Sequence, residues 1–445
     1  MKKNKRLISF VLVLAMVVTM LPSTQLVTLA ARTPKVKTKI EINPMYKGVV
    51  TKKKAEKYFD KEVKKQKREE EKNATASGNA GGKGMRGTGG EYKYIYDPDE
   101  LVAYVKERFL NRDTSELKVC CDNNIRDSYI SDGQYDSDKA LQVITDEIFA
   151  YDKNNSSAGD YLKSQCPSLR SGAAYQDGKF YFIFQGMFTT TKKQEEALDN
   201  WIQQLYARVG LRPATERKYQ TATKMYTFIV KNCSYDYAHK DDDTYYDKFS
   251  VHNLLTKGVG VCQAVSAAMY KTCLDNGINC RMLSSEGHVW NLIELEDGYW
   301  WQCDATYGMR PQGQVKTGWN YTYLFCDKAT FDANHETPSP ADKNYVKDLE
   351  KYNMPEKRYI DWFTENYPGE KQITWATITL DHNTFTYNKK VHKPKVEVVV
   401  DGKILDPSTY KVTYETNCKS IGTHTVRVKV EGDRAAIRQE FYIRA

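Results

Sequence analysis

Three residue types that together perform nucleophilic catalysis lie within a short part of this 445-residue sequence, and in chain order they are Cys262, His288 and Asp304. A thiol needs a base to become a thiolate, and a histidine base needs a carboxylate to hold its tautomer. Each residue also has an ordinary structural reading: a buried thiol, a packed imidazole or a turn acceptor. Their combination in one stretch predicts a catalytic triad.

The cysteine begins a predicted helix. After Cys262 the apolar residues recur at three-to-four spacing, alanines favour the helix, and Asn276-Gly277 is a typical stop signal. We therefore expect Cys262 in the first turn, where unpaired backbone N–H groups and the positive end of the helix dipole favour a thiolate. Its own N–H is a candidate donor to the oxyanion of an attacked carbonyl.

The histidine and the aspartate are predicted to lie on the two strands of one hairpin, so its register decides whether they meet. A two-residue turn places His288 and Asp304 on opposite faces, because successive strand residues point to opposite sides. A three-residue loop from Glu296 to Gly298, with Gly298 in the left-handed region, places Asp304 opposite Trp290 and diagonal to His288 on one face. We therefore predict this bulged loop.

Other residues near the predicted triad are candidates for binding the oxyanion or the substrate. Tyr235 and Tyr237 precede the cysteine helix and carry hydroxyl donors, although both are equally good core residues. Gln263 follows the cysteine directly, and Trp290 offers an indole N–H. Asn291 is a candidate for orienting the hairpin.

Four motifs follow one another along this part of the chain: Tyr235-Asp-Tyr, Gly258-Val-Gly-Val-Cys-Gln, Gly287-His-Val-Trp-Asn and Trp300-Trp-Gln-Cys-Asp-Ala-Thr-Tyr. Their ordered combination resembles the transglutaminase-like superfamily of bacterial cysteine enzymes, and the resemblance covers residues 190–335. It implies an α+β fold with a papain-like core, in which the cysteine helix packs on an antiparallel sheet. It also implies a triad of Cys262, His288 and Asp304. The sequence departs from the family pattern at Ala264-Val265 and at Cys303.

Such a triad attacks an amide or ester carbonyl and passes the acyl group from a thioester to water or to an amine. Asp241 to Asp243 with Asp247 lack the alternating ligands and closing Glu of a calcium loop. We therefore favour hydrolysis of peptide or protein amides over cross-linking by a transglutaminase. A surface adhesin or scaffold that uses the fold without catalysis is the alternative from another class.

The sequence predicts no cofactor and no metal site. It has no Cys-x-x-Cys pair, and its histidines show no i,i+4 spacing.

The N-terminal segment has the features of a secretory signal peptide. Basic residues precede an apolar run from Leu7 to Leu21, which is shorter than a membrane span, and Ala30 and Ala31 follow. We expect cleavage there, no transmembrane segment afterwards, and a secreted, extracellular protein that associates with the cell surface. The expected partner is a protein or peptide substrate in that compartment.

The net charge of +9 belongs mainly to the N-terminal part of the chain. Residues 32–72 carry fifteen Lys and Arg against seven Asp and Glu, whereas the rest of the mature chain is close to neutral. This basic tail fits either a contact with anionic cell-wall polymers or a solvated spacer. Nucleic acid is not an expected partner.

Ten cysteines in an exported chain permit disulfides. If Cys262 stays free, at least one other cysteine is unpaired. Cys273 and Cys280 are one candidate pair, and a fully reduced protein is the other account.

Composition, periodicity and the resemblance to the transglutaminase-like superfamily divide the chain into six predicted segments. They are a signal peptide (1–31), a basic, flexible linker (32–91), an N-terminal α/β subdomain (92–190), the transglutaminase-like catalytic core (191–345), a connector (346–372) and an Ig-like β-sandwich (373–445). The last rests on short alternating strands, among them 376–380 and 410–414, separated by turns such as 401–402 and 431–432. Its pattern resembles Ig-like modules of bacterial surface proteins, which display or dock more often than they catalyse.

Overall fold

The computed structural model of the chain describes residues 33–76, 92–122, 127–211, 216–242, 244–285, 287–311, 323–328, 331, 345–357, 359–366, 376–400, 403–415, 417–430 and 437–445. The predicted signal peptide and the turns at 401–402 and 431–432 lie outside these residues. Over the described ranges, no helix combines the length and the apolar character that a membrane crossing requires.

The helices are α1 (Lys52–Ala76), α2 (Pro98–Leu110), α3 (Ser137–Ile148), α4 (Asp160–Ser164), α5 (Lys192–Val209), α6 (Lys218–Asn232), α7 (Val251–Lys257), α8 (Cys262–Asp275), α9 (Ala305–Gly308) and α10 (Tyr359–Asn366). The strands are β1 (Lys39–Ile42), β2 (Lys93–Tyr94), β3 (Leu117–Asp122), β4 (Ile130–Ser131), β5 (Gln134–Tyr135), β6 (Ser168–Gln176), β7 (Lys179–Met187), β8 (Ser234–Tyr235), β9 (Val259–Gly260), β10 (Cys280–Ser285), β11 (His288–Glu294), β12 (Trp300–Cys303), β13 (Arg310–Pro311), β14 (Ala376–Leu380), β15 (Thr384–Thr386), β16 (Val396–Val400), β17 (Lys403–Ile404), β18 (Tyr410–Tyr414), β19 (Gly422–Val430) and β20 (Ile437–Arg444).

The chain divides into two compact units, and the first is built on a five-stranded sheet of order β1-β6-β7-β3-β2. It comprises residues 51–149 and 168–187 together with the segment that ends at Ile42. Its central strand β7 is buried at almost every position, as expected for a strand covered on both faces.

The prediction of a flexible linker over residues 32–91 is wrong for much of that segment. Strand β1 pairs with β6, and α1 is a 25-residue helix whose Ala55 and Phe59 are fully buried in this first unit. The two apolar residues are four apart and therefore share one helix face. The many lysines lie around this narrow apolar face, so composition alone indicated a solvated spacer.

The second unit contains the predicted site and is organised around helix α8. Every residue of α8 from Cys262 to Leu274 is buried, and the helix packs on β10 and β11 of the antiparallel sheet β10-β11-β12. Strands β8 and β9 pair in parallel at its N-terminal end. This part of the chain therefore has the α+β arrangement expected of it, with the cysteine helix packed on an antiparallel sheet.

The predicted register of the hairpin is confirmed. Asn291 pairs with Cys303 and Glu294 with Trp300, which is the register of a three-residue loop. The loop closes between Leu295 and Tyr299, and Gly298 has a φ of 77°. The left-handed conformation at this position explains why a glycine ends the loop.

The C-terminal residues of the second unit form two sheets, of order β14-β16-β17 and β15-β20-β19-β18. Side chains from both sheets, including Ile378, Val398, Val426 and Phe441, form one buried cluster. The strands predicted at 376–380 and 410–414 have these same bounds in the structure. The Ig-like assignment of this region stays a prediction.

All ten cysteines are buried in the described structure, and each is present as a thiol. The candidate pair Cys273 and Cys280 is therefore present as two thiols.

Replacing Gly298 with Val is expected to lower the free energy of unfolding by about 1–2 kcal/mol, because a β-branched residue resists the left-handed conformation. A Cβ at this position meets no atom within 4 Å, so the cost comes from the backbone alone. Urea denaturation followed by tryptophan fluorescence measures the change. Gly298→Asn is the matched control, because asparagine tolerates this conformation better. Equal losses in both variants would contradict the predicted role of the backbone conformation.

Candidate active site

The thiol of Cys262 lies at the first residue of helix α8. Val261 at the N-cap has no side-chain acceptor, so no cap covers the backbone N–H groups of the first turn. A side chain at Gly260 would lie 3.1 Å from both Leu254 and Ala264, which explains the glycine directly before this turn. The first turn can therefore offer the helix dipole and free N–H donors to a negative charge on sulfur or on a bound oxyanion.

The imidazole of His288 lies between the thiol and a carboxylate. Its Nε2 is 2.5 Å from Oδ2 of Asp304, and the ring also forms a hydrogen bond with the Cys262 side chain. Because Nε2 faces the carboxylate, Nδ1 is left for the thiol. The structure thus brings together the three residues that sequence spacing singled out.

The charges in this group favour a protonated imidazole. Burial disfavours the imidazolium, but the Asp304 carboxylate and the Cys262 thiol outweigh burial and raise the pKa of His288 to about 10. At neutral pH this favours a protonated imidazolium beside the Cys262 sulfur. The pKa of His288 in the folded protein lies above its ordinary value of 6.5. Its contribution to the stability of the fold is therefore complete below pH 6.5 and is lost as the pH rises towards 10.

The carboxylate of Asp304 has two separate tasks, one for each oxygen. Oδ2 contacts His288, whereas Oδ1 accepts hydrogen bonds from the backbone N–H groups of Thr306 (2.7 Å) and Tyr307 (3.2 Å), which begin helix α9. The side chain is fully buried. The geometry is therefore compatible with both interpretations of this residue, as a triad member and as a turn acceptor.

Two buried polar residues fasten the cysteine helix to the histidine strand. Ser266 lies one turn after the nucleophile and donates its hydroxyl hydrogen to Val289 O at 2.8 Å. Asn291 donates its amide to Ser266 O at 3.0 Å and to Arg281 O at 3.3 Å. The bonds of Ser266 with Val289 and with Asn291 cross between α8 and β11. They therefore set the distance between the sulfur and the imidazole.

Aromatic rings hold the imidazole in place. The ring of His288 stacks at 5.9 Å on Trp290, and the ring of Tyr307 meets it edge-on at 5.1 Å. Trp290 is fully buried, whereas Tyr307 is 47% exposed. Tyr307 therefore belongs to the surface that an incoming ligand meets beside the base.

Tyr235 lies close enough to Cys262 for the two side chains to influence each other electrostatically. It pairs with Gly260 in the parallel β8–β9 ladder, and the N–H of Asp236 donates to Gly260 O at 3.1 Å. Burial raises the pKa of Tyr235, and the nearby Cys262 raises it further, so its hydroxyl stays a donor. Its ring contacts that of Tyr237 at 4.8 Å, and Tyr237 is 52% exposed.

Two other candidates do not reach the reacting atoms with their side-chain polar groups. The side chain of Gln263 is buried, and its Nε2 donates to Ser164 O at 2.7 Å. The indole N–H of Trp290 donates to Oε1 of Gln302 at 3.0 Å. The side-chain donors of both residues are therefore bonded to partners behind the site, and the backbone N–H of Gln263 stays a candidate donor in the first turn of α8.

Sequence reasoning missed Ser266, Gln302 and Tyr307. Gln302 and Tyr307 stand in the last of the quoted motifs, so the sequence carried a signal for both. Ser266 acts through a contact between two elements, which no local pattern predicts.

Among the described residues, the side chains close enough together to hold a metal ion are Glu415, Cys418 and His424. They lie in the C-terminal sheets. His424 is already bonded there, with Nδ1 2.5 Å from Glu415 and Nε2 2.7 Å from Ser420 O. The described surroundings of Cys262 hold no comparable group of ligands.

Comparison with known proteins gives a sequence match and two structural ones. Residues 206–305 match the family model described as the Transglutaminase-like superfamily, so this part of the chain is similar to that family. No curated protein matches the chain. A putative cysteine protease from Cytophaga hutchinsonii is similar to 31% of this chain, with 16% identity and a TM-score of 0.20. A TGase is similar to 52% of it, with 11% identity and a TM-score of 0.22. The chain spans 56% and 62% of the lengths of these two proteins.

The alkylation of Cys262 by iodoacetamide is expected to stay fast at pH 6, because the imidazolium of His288 stabilises the thiolate there. In His288→Ala the rate should instead show the pH dependence of an ordinary thiol, which has a pKa of about 8.5. In Asp304→Asn the imidazolium should lose its proton at a lower pH than in the wild type, since the carboxylate that raises its pKa is gone.

Mass spectrometry of the labelled peptide measures each rate, and Cys262→Ser gives the background from the other cysteines. Identical pH profiles for the wild type and His288→Ala would contradict the pairing of thiol and imidazole.

Proposed function

We propose that the transglutaminase-like domain is a cysteine-dependent acyl-transfer enzyme. Cys262 is its nucleophile, His288 its general base and acid, and Asp304 the residue that orients the imidazole. The observation that supports this most directly is the 2.5 Å contact between His288 and Asp304 beside the thiol at the start of α8. Nucleophile, base and orienting carboxylate are the parts that a thiol acyl-transfer mechanism needs.

In the first half of the reaction the thiolate attacks the substrate carbonyl and forms a carbon–sulfur bond, and the carbonyl electrons move to oxygen. The N–H of Cys262 and the hydroxyl of Tyr235 are the proposed donors to this oxyanion. The imidazolium of His288 then gives its proton to the departing amine nitrogen as the carbon–nitrogen bond breaks. A thioester on Cys262 and a free amine result.

In the second half the neutral imidazole takes a proton from water, and the hydroxide formed attacks the thioester. The carbon–sulfur bond breaks, the acid product leaves, and the thiolate–imidazolium pair is restored. Asp304 keeps Nε2 facing it through both halves, so Nδ1 always serves the reacting atoms. An amine can replace water in this step, which is the cross-linking alternative.

The proposed substrate is a peptide or protein amide. Tyr237 and Tyr307 are exposed aromatic rings, the first in contact with Tyr235 and the second with His288. Rings placed in this way can pack against the side chains and backbone of a bound chain. A scaffold without catalysis would have no need for a buried carboxylate that orients an imidazole beside a thiol.

Export and a place at the cell surface are part of the proposal. They rest on the charged and apolar pattern of residues 1–31, on the basic segment that follows, and on the predicted Ig-like region at 373–445.

Incubation with p-nitrophenyl esters or labelled peptides is expected to produce an acyl-enzyme on Cys262, visible as a mass increase on the intact protein. Cys262→Ala should form none, and Asp304→Asn should form it about 10²–10⁴-fold more slowly. Adding a primary amine measures the fate of the acyl group. Free acid as the main product supports hydrolysis, and an amide product as the main one replaces it with cross-linking. An acyl-enzyme that forms equally well in His288→Ala would overturn the mechanism.

Expression of the full chain in a Gram-positive secretion host is expected to release a protein that begins near residue 31 or 32, because the signal peptide is removed there. N-terminal sequencing of the medium fraction measures this, with a deletion of residues 2–21 as control. An uncleaved chain that stays inside the cells would contradict export.

A further inference from the structure

A lysine ammonium lies buried beside the nucleophile helix, in the turn whose acidic residues lack a calcium-binding pattern. Lys248 belongs to the 3-10 turn Tyr246–Phe249, and its side chain is fully buried. Its Nζ donates to three backbone carbonyl oxygens, of His239 at 2.7 Å, Lys240 at 2.7 Å and Asp242 at 2.8 Å. An ammonium has three N–H donors, so these oxygens satisfy all of them.

Three carboxylates of the turn have other partners among the described residues. Asp241 pairs with Lys240 at 3.6 Å, and Asp247 pairs with Lys257 at 3.5 Å. Oδ1 of Asp242 accepts from the N–H and the hydroxyl of Thr244. The main-chain oxygens are therefore the direct ligands of the ammonium, in the way that carbonyl oxygens coordinate a metal cation.

Lys248 forms hydrogen bonds with the start of helix α8 and with the loop that follows Tyr235. Its own carbonyl accepts the N–H of Val261, the N-cap of α8, at 3.0 Å. The loop that wraps around its ammonium starts at Asp236, directly after Tyr235. The buried Asp236 carboxylate accepts the backbone N–H of His239 at 3.1 Å and lies 2.9 Å from its Nδ1. One residue thus connects the start of the nucleophile helix to the segment that carries Tyr235.

We propose that Lys248 is a positioning residue whose ammonium occupies a built-in cation site of three carbonyl oxygens and thereby sets the oxyanion side of the cleft. This inference rests on the proposed function, because it assigns Lys248 a role in placing Cys262 and Tyr235. The lysine ammonium takes the position that a metal ion would have among these three oxygens. The 2.7–2.8 Å contacts exceed the calcium–oxygen distances of about 2.3–2.6 Å, so an emptied site fits a potassium or ammonium ion better than calcium.

Truncation of the side chain tests the proposal through chemical rescue. Lys248→Ala removes the ammonium and leaves its space, Lys248→Met removes the charge but fills the space, and Lys257→Ala removes an exposed lysine of the same turn region. The readout is the rate of Cys262 alkylation by iodoacetamide at pH 6. This reaction needs the thiol–imidazole pair but no acyl acceptor, so added ammonium cannot act as a substrate.

Lys248→Ala is expected to react roughly tenfold more slowly than the wild type in sodium chloride, because small displacements of reacting groups cost this much or more. Ammonium or potassium chloride at the same ionic strength should restore most of the rate, whereas choline or calcium chloride should not. Lys248→Met should be slow in every salt, and Lys257→Ala should match the wild type. The melting temperature of Lys248→Ala should rise with ammonium concentration and that of Lys248→Met should not.

A wild-type rate of either Lys248 variant in sodium chloride would overturn the inference, as would a folded, slow Lys248→Ala that no monovalent cation accelerates. If Lys248→Ala folds only in ammonium or potassium chloride, the dependence of folding on these cations supports the inference. If Lys248→Ala folds in no salt, the alkylation rate of Lys248→Met is the test: a slow rate supports the inference and a wild-type rate overturns it. A wild-type enzyme whose alkylation does not depend on His288 would instead refute the proposed function, so the two failures are distinguishable.

Discussion

The contact between His288 and Asp304 depends on a register that a single loop residue controls. Gly298, with its φ of 77°, closes a three-residue loop, and this loop places the two strands so that residue numbers 291 and 303 are opposite. A shift by one residue would turn the carboxylate to the other face of the hairpin. The chemistry proposed for the thiol is therefore possible only because the backbone adopts a left-handed conformation far from it in sequence.

Buried polar groups with complete hydrogen bonding hold the elements of the site together. Asn291 and Ser266 join α8 to β11, and the ammonium of Lys248 joins the loop after Tyr235 to the start of α8. A buried polar group that lost its partner would cost more than the bond contributes, so such contacts tolerate little displacement. Apolar packing around α8 stabilises the fold, and these directional bonds determine the geometry within it.

Much of this arrangement could be predicted from the sequence, because it depends on local periodicity. The start of α8 at Cys262, the hairpin and its register, and the strands at 376–380 and 410–414 all follow from helix and strand patterns. Two kinds of feature could not be predicted. The packing of α1 depends on two apolar residues in a strongly basic segment. The hydrogen bonds of Gln263, Trp290 and Lys248 are made to partners from other elements, which a linear pattern does not contain.

The shared carboxylate of Asp304 connects the acidity of the base to the position of an exposed ring. Oδ1 holds the first N–H groups of α9, including that of Tyr307, while Oδ2 holds the imidazole. A displacement of the Tyr307 backbone would therefore move the carboxylate that faces the imidazole. The pKa of His288 is in this way tied to the position of a neighbouring chain segment, one whose aromatic side chain is exposed to solvent.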